Sequence, residues 1–457
     1  MKVTVLGSCT VIDFPHDIER FFDGDHLVDP RNGLLMEMDA WSLWCLARDS
    51  NDHMLQRRIC RGLLANLSGS SPNFWSNGMW GFDEAHLRFT STALRLIVFE
   101  LGYFSINLTK ELLARHASFH DKIGNGLWFL HDSIEYNQQS FYPKWTGIHF
   151  SNSSPHNMLI LNTHLDTLTT LLVANHMGIR NIPGQGDTEA LIRKGLDCAD
   201  DYFDKSEVAN KALSALDSII RAAIIKHYSG SSLISRFIRS ALYRVYYKKI
   251  RLSFKKYKLI KQWRDGFWER DLRLQGPSLE YHVVNIWDAA RLLLWMKINH
   301  IQHPRLESSL RETTSKAIKF CANSGSYENH MRLISKDRGI SNELLEALVI
   351  LSALGYYETN FNALYIKWRE MAPPSPGIMG IDPIISGTPS QQIAKPALAP
   401  DYIDWIPVPY LNTVVIVNND NVSPYLVTES IDQKTSHSVA PLSLYVLRAA
   451  KETLAFS

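Results

Sequence analysis

Cysteine is scarce and unpatterned in this chain. Its 457 residues hold five, Cys9, Cys45, Cys60, Cys198 and Cys321, an odd number at wide spacings with no CxxC. That argues against a disulfide framework or a structural zinc site and predicts a reducing, cytoplasmic setting. Charge of one sign is lacking as well. There are 48 Lys and Arg against 46 Asp and Glu, so no global field marks nucleic acid as a partner, and no RNP, zinc-finger or helix-turn-helix pattern is present. Long apolar runs are missing: the nearest to a membrane span, 158–175, is broken by Asn162, His164 and Asp166. The stretch ahead of Cys9 is too short for an export signal. There is no GxSxG elbow, P-loop, HExxH or paired DxDD, and no His-rich cluster at metal spacing, so neither a metal nor another cofactor is expected.

What is present is a helical pattern of some regularity. Hydrophobic residues make up 45% and charged residues 21%, the balance of a globular chain with a large core. Up to about residue 371 a loop rich in aromatics and glycine is followed by a helix with polar residues mixed into its apolar face, then by a more amphipathic helix. Six helices of the first kind are predicted to begin near Leu35, Asp83, Ser154, Glu207, Pro277 and Ser341. Six of the second kind are predicted at 53–67, 110–134, 188–203, 233–250, 304–322 and 360–371. Asp83 and Ser341 read as N-caps, and Ser154-Pro155 and Gly276-Pro277 as starts with proline in the first turn. The spacing, about 60 residues, predicts a mainly α fold, an (α/α)6-type toroid of about six helix pairs over 35–371. The rival is an open α-solenoid, and the polar residues on the inner helices favour closure. Residues 1–34 read as an N-terminal strand and loop, and 372–400, with seven prolines, as a linker or belt. Residues 401–457 read as a small β/α extension with strands at 412–418 and 425–428 and a helix at 441–454.

In such a ring the inner-helix N-termini gather at one mouth, where the helix dipoles favour an anionic group. The loops there carry Trp75, Trp80, Phe141, Tyr142, Trp145, His149, Phe267 and Trp268, the side chains that stack sugars. On the second inner helix Asp83, His86 and Thr90 share one face, and Glu84 and Arg88 another. Either a carboxylate and a cation point inward, or Asp83 caps while Glu84 and Arg88 pair along the helix. The third holds His156, Asn157, Asn162, His164 and Asp166, read as groups lining a wet cavity or as a satisfied buried network. The fifth opens with Glu280, Tyr281 and His282, and the sixth carries Glu343. Ser232 to Arg270 holds twelve Lys and Arg against Asp265 and Glu269, interleaved with aromatics. It reads as a surface for an anionic membrane, for a polyanion, or as a solvated outer helix.

The segment Leu161-Asn162-Thr163-His164-Leu165-Asp166-Thr167-Leu168-Thr169-Thr170-Leu171 resembles an inner helix in the C-terminal helical domain of glucuronyl C5-epimerases, and the aromatic loop Trp145–Pro155 is similar in style. Heparinase-type lyases share that toroid. The resemblance implies an enzyme acting on an acidic, uronic-acid-containing polysaccharide or glycan by proton abstraction next to the carboxylate. Arg88 or Asn162 would neutralise the carboxylate, and Glu84, His156, Tyr281 and His282 would handle protons. Trp80, Asp83, Trp145, His149, Asn157, Glu280 and Glu343 would complete the binding surface. A glycoside hydrolase of the same fold would instead set Asp83 or Glu84 opposite Glu280 or Glu343. A non-catalytic helical scaffold held peripherally at the inner face of a membrane by residues 232–270 is the third expectation.

Overall fold

The computed structural model describes residues 2–5, 11–28, 37–68, 86–100, 104–136, 154, 156–205, 211–228, 232–242, 244–246, 265–269, 279–338, 340–356, 361–369, 403–408, 411, 413–418, 425–428, 436–439 and 443–448. The protein is mainly helical with a few small sheets. Five helices are buried along most of their length: α1 (Glu37–Asp49), α3 (Leu87–Phe99), α6 (Leu161–His176), α10 (Leu279–Ile298) and α13 (Ile340–Ala353). Each is followed by a helix with one wet face: α2 (His53–Ser68), α4 (Ile106–Ser118), α7 (Thr188–Lys205), α11 (Pro304–Asn323) and α14 (Phe361–Arg369). The division follows composition. In α13 every residue is buried, whereas α11 buries Leu306, Leu310, Thr313, Thr314, Ala317, Ile318, Phe320 and Cys321, a stripe at helical spacing.

The buried helices lie side by side. Trp41 and Trp44 of α1 meet Arg95 and Phe99 of α3. Ser91 and Arg95 of α3 meet Thr167 and Thr170 of α6. Asp166 and Asn175 of α6 meet Arg291 and, just past α10, Asn299. Trp287 of α10 donates to Glu346 of α13 at 2.7 Å. In the first three pairs later residues of one helix meet later residues of the next, which sets α1, α3, α6 and α10 parallel, so the helices between them must carry the chain back.

All five helices send a side chain to one buried polar centre. Asp166 accepts from Arg95 and from Arg291, both at 2.7 Å, and Asp288 pairs with Arg291 at 2.5 Å and with Arg88. The Arg291 guanidinium stacks 3.7 Å from the Trp287 ring centroid, and Arg95 faces Trp41. Burial pushes the Asp166 carboxyl up, but the Arg95 and Arg291 charges outweigh it and hold the group below the usual carboxylate range. Around this centre one continuous apolar core runs from Ile12 and Phe14 to Val415 and Val417, so both chain ends pack into the same body. Each fully buried aliphatic or aromatic side chain in it contributes roughly 1.5–3 kcal/mol.

Three short hairpins carry the chain between helices: β3 (Phe22–Asp23) with β4 (His26–Leu27), β5 (His120–Ile123) with β6 (Gly126–Phe129), and β7 (Asn181–Ile182) with β8 (Gly186–Asp187). At the N-terminal end β1 (Lys2–Val5) pairs with β2 (Val11–Phe14). At the C-terminal end β10 (Thr413–Asn418) lies between β9 (Ile403–Val408) and β13 (Ser443–Arg448), and β11 (Tyr425–Thr428) pairs with β12 (Ser436–Val439). All these pairs are antiparallel. Among the described residues no helix is long and apolar enough to cross a membrane.

Several expected elements are corrected. The helix expected near Glu207 is α8 (Lys211–Tyr228), and it packs on α9 (Leu233–Leu242) and α12 (Gly325–Arg338) instead of joining the inner set, so five helix pairs are described and not six. The long helix expected at 110–134 ends at Ser118, because Gly124-Asn125-Gly126 turns the β5–β6 hairpin. The closing helix expected at 441–454 contains strand β13. The expected helix at 233–250 is met by α9 and a π-helical turn at 244–246, while 243 and 247–250 lie outside the described residues. The proline-rich stretch 372–400 lies outside the described residues.

Candidate functional site

The parallel arrangement of α1, α3, α6 and α10 brings the first turns of these buried helices to one end. The start of α3 is His86, whose ring stacks on Phe89 at 4.3 Å and meets the edge of His131 at 4.5 Å. The Leu87 N–H donates to the His131 carbonyl (3.1 Å), and the His131 ring shares a 2.7 Å hydrogen bond with Thr163 in the first turn of α6. His131 therefore joins the starts of two inner helices. Behind it sits the single turn α5 (Ser133–Tyr136), where Asp132 accepts from the Glu135 N–H at 3.2 Å. The Glu135 carboxylate in turn accepts from the N–H groups of His131 (3.2 Å) and Met158 (3.0 Å).

On the next side, Tyr327 donates to the Leu279 carbonyl at 2.9 Å. Burial raises its hydroxyl pKa well above the ordinary value, and the nearby Glu280 and Glu343 carboxylates push it further. Tyr327 of α12 thus ties that helix to the first turn of α10. Glu280 and Tyr281 are half-buried, and Glu343 is buried.

Asn162, second residue of α6, is fully buried, and neither its amide oxygen nor its nitrogen has a hydrogen-bond partner among the described residues. Asn342, in the first turn of α13, is in the same state. A buried amide without partners costs on the order of 1–3 kcal/mol per group, so two at matching positions call for an explanation.

Other expected site residues are placed differently. His156 and Asn157 precede α6, because the helix starts at Leu161 after a corner in which Leu159 takes φ 55°. Asn157 is occupied: its Nδ2 donates to Asp121 (3.0 Å) and its Oδ1 accepts from the Leu159 N–H (2.8 Å). His156 stays half-buried at that corner. Arg88 points to the polar centre and pairs with Asp288, so it is not an open carboxylate binder. His282 is corrected from proton carrier to structural tie. Its Nδ1 accepts from the Trp268 N–H (2.8 Å), its Nε2 donates to the Ala317 carbonyl (3.1 Å), and its ring stacks on Phe267 at 5.0 Å. Trp80, Asp83, Glu84, Trp145 and His149 lie outside the described residues, in stretches that lead into α3 and α6. His86 at the N-cap, with extended backbone, takes the place expected for a cap at Asp83.

His164 repeats the tie of His282. It accepts from the Phe129 N–H (3.0 Å), donates to the Gly195 carbonyl (3.2 Å) and stacks on Trp128 at 4.3 Å. Each histidine thereby binds an aromatic loop to the outer helix of its own unit. A Cβ at Gly126 would press on the Lys194 carbonyl, and one at Gly266 would collide with the Lys316 carbonyl, so glycine is what lets both loops approach that closely.

Sequence reasoning missed His131, Glu135 and Asn342. The spacing Asp132-x-x-Glu135, a capping pattern, was the available signal for the first two. A cavity of about 360 Å³ lined by Ser308, Arg311, Thr314, Leu351, Tyr356 and Phe361 lies near the C-terminal end of α13, away from these first turns. Among the described residues no cluster of His, Cys, Asp or Glu is arranged to hold a metal ion. No protein-family model matches the chain, and neither a curated protein nor a solved structure is significantly similar to it.

Proposed function

We propose that α1, α3, α6, α10 and α13 form the inner wall of an α/α toroid, and that the protein acts on a uronic-acid-containing glycan at the end where these helices start. The chemistry is removal of the proton on C5, next to the carboxylate, as in an epimerase or a lyase. The observation that carries the proposal is the pair Asn162 and Asn342, whose buried amides have no protein partner among the described residues and sit in first turns of inner helices. Sugar hydroxyls and a carboxylate supply the donors and acceptors such amides need. Parallel helix N-termini add partial positive charge at the same end, which stabilises the carboxylate as charge builds on it during C5 deprotonation. The half-buried Tyr281 and His156 are the proton-handling candidates at that end, since both keep a side chain within reach of solvent.

The test uses the full chain with a panel of uronic-acid polymers in heavy water. Loss of the C5 proton signal, or ultraviolet absorbance from an unsaturated product, is the expected result. Asn162→Ala should abolish it while leaving the melting temperature unchanged or higher. Absence of both exchange and unsaturation with every polymer overturns the C5 chemistry. A second reading, a glycoside hydrolase, rests on the carboxylates Glu280 and Glu343 in the first turns of α10 and α13. It predicts new reducing ends, lost on Glu280→Gln or Glu343→Gln, without deuterium uptake.

A further inference from the structure

The helical hairpin α8–α9 stands apart from the main core. Its inward residues make a cluster of their own, Ile224 with Tyr246, against which Ile220 and Leu242 pack. Several of its other large apolar residues face solvent. Leu233 is 80% exposed, Ile234 71% and Phe237 74%. Ile219 on α8 and Val245 after α9 are exposed as well. Leu233 and Phe237 are one helical turn apart with Ile234 beside them, so the start of α9 presents a contiguous apolar patch. A patch of this kind on a water-facing helix marks an interaction surface.

Its charge says what kind of surface it meets. From Ser232 to Tyr246 the chain carries Arg236, Arg239 and Arg244 and no acidic residue. Arg236 is exposed beside the apolar patch, and Arg244 is exposed next to Val245. The sequence stays basic beyond this point, so the segment 232–270 as a whole has twelve Lys and Arg against two acids. Apolar side chains flanked by arginines, on a short amphipathic helix, are the combination that seats at a lipid headgroup layer. The apolar residues enter the acyl boundary and the cations meet anionic headgroups. We propose that α9, with the end of α8, docks the protein on the surface of an anionic lipid bilayer without crossing it. This rests on the hairpin alone and not on the glycan chemistry proposed above.

The experiment is flotation of the full chain with two kinds of vesicle, phosphatidylcholine alone and two parts phosphatidylcholine to one part phosphatidylglycerol. Partition onto the anionic vesicles should exceed that onto the neutral ones by about tenfold or more and should fall as salt is raised. Leu233→Asp with Phe237→Asp should lower it by about tenfold or more. Arg236→Glu with Arg244→Glu should do the same. Neither pair should shift the melting temperature, because the altered side chains are exposed. Equal partition onto both vesicles, or none, overturns the proposal. So does vesicle binding that survives the apolar pair and vanishes only with the charge pair, which would leave a purely electrostatic contact in which the apolar residues of α9 do not enter the lipid. A fall in particle mass caused by Phe237→Asp without lipid would assign the patch to a second copy of the chain and equally overturn it. Vesicle binding is read with no sugar present, so its failure and the failure of the glycan reading are separate outcomes.

Discussion

Asp166→Asn removes one negative charge from a centre with three guanidinium groups. Asp166 is the shared acceptor of Arg95 and Arg291, each 2.7 Å away, and all three side chains are at most 2% exposed. The substitution leaves Arg95 with no carboxylate at this distance among the described residues, and it turns an amide N–H toward one of the two cations. Breaking a buried ion pair from one side costs about 3–5 kcal/mol. The helical body from Glu37 to Arg369 spans about 330 residues, and at ~2.1 cal/mol/K of unfolding entropy per residue the loss lowers the melting temperature by about 4–7 °C. Thermal melts followed by circular dichroism measure this directly, and urea titration gives the free energy. The double variant Arg95→Met with Asp166→Leu removes both charges of one pair. Its cost should fall short of the sum of the single changes by at least about 1.5 kcal/mol, since coupled neighbours are not additive. A loss under ~1 kcal/mol for Asp166→Asn, or strict additivity in the cycle, would mean that the inner helices are not tied through this carboxylate.

Stability should fall on acidification earlier than carboxylate titration explains. Burial depresses His116 to a pKa of about 4 and His164 to about 3, so the folded protein keeps both neutral while the unfolded chain protonates them below about 6.5. Their contribution is complete above about pH 6.5 and is lost as pH falls toward those folded values. At pH 5 each costs roughly 2 kcal/mol. Urea midpoints at about pH 7.5 and pH 5 check this, and a difference below ~1 kcal/mol refutes it. Gly266→Ala should destabilise more than Gly126→Ala. Gly266 has φ +99° and faces a backbone carbonyl that cannot yield, whereas Gly126 meets Cys198 Cβ at 2.8 Å and the Lys194 carbonyl oxygen at 2.9 Å with no left-handed φ. Paired melts decide the order, and equal costs would remove the close-approach explanation.

The helix pairs α1–α2, α6–α7, α10–α11 and α13–α14 were legible in the sequence because buried helices with mixed polar residues alternate with striped ones. The starts of α3 and α6 were not. His86 and Ile160 stand at the N-caps of α3 and α6, neither with a side-chain cap bond, so Asp83 and Ser154 drew the boundaries too early. The fourth inner helix was misplaced because α8 has an apolar stripe long enough to pass for a core helix, while exposed Leu216 and Ile219 show how much of it stays outside. The polar centre was hidden for another reason. Arg88 meets Asp288 across 200 positions and Arg95 meets Asp166 across 71, and periodicity along one helix carries no information about such partners. The buried-network alternative for the third helix did hold in part, through Asp166 and His164. Asn162 on the same helix is fully buried with no hydrogen-bond partner among the described residues and decides for neither.

The repeated histidine tie shows why residue type at a helix start is a poor guide to role. His282 follows Glu280 and Tyr281 in the first turn of α10, where a proton carrier was expected. Its counterpart His164 occupies the fourth position of α6, as His282 does in α10, and makes the same three contacts: a loop N–H, an outer-helix carbonyl and an aromatic face. An imidazole with both nitrogens bonded to backbone, and buried, has no lone pair or proton to offer a substrate. It can hold a loop. Through these ties Trp128–Phe129 and Phe267–Trp268 are fixed in the hydrophobic core, each at most 1% exposed, so the sugar-stacking role expected for Phe267 and Trp268 is corrected to packing. The contribution of His282 is therefore the position of Phe267 and Trp268, and the same holds for His164 with Trp128 and Phe129.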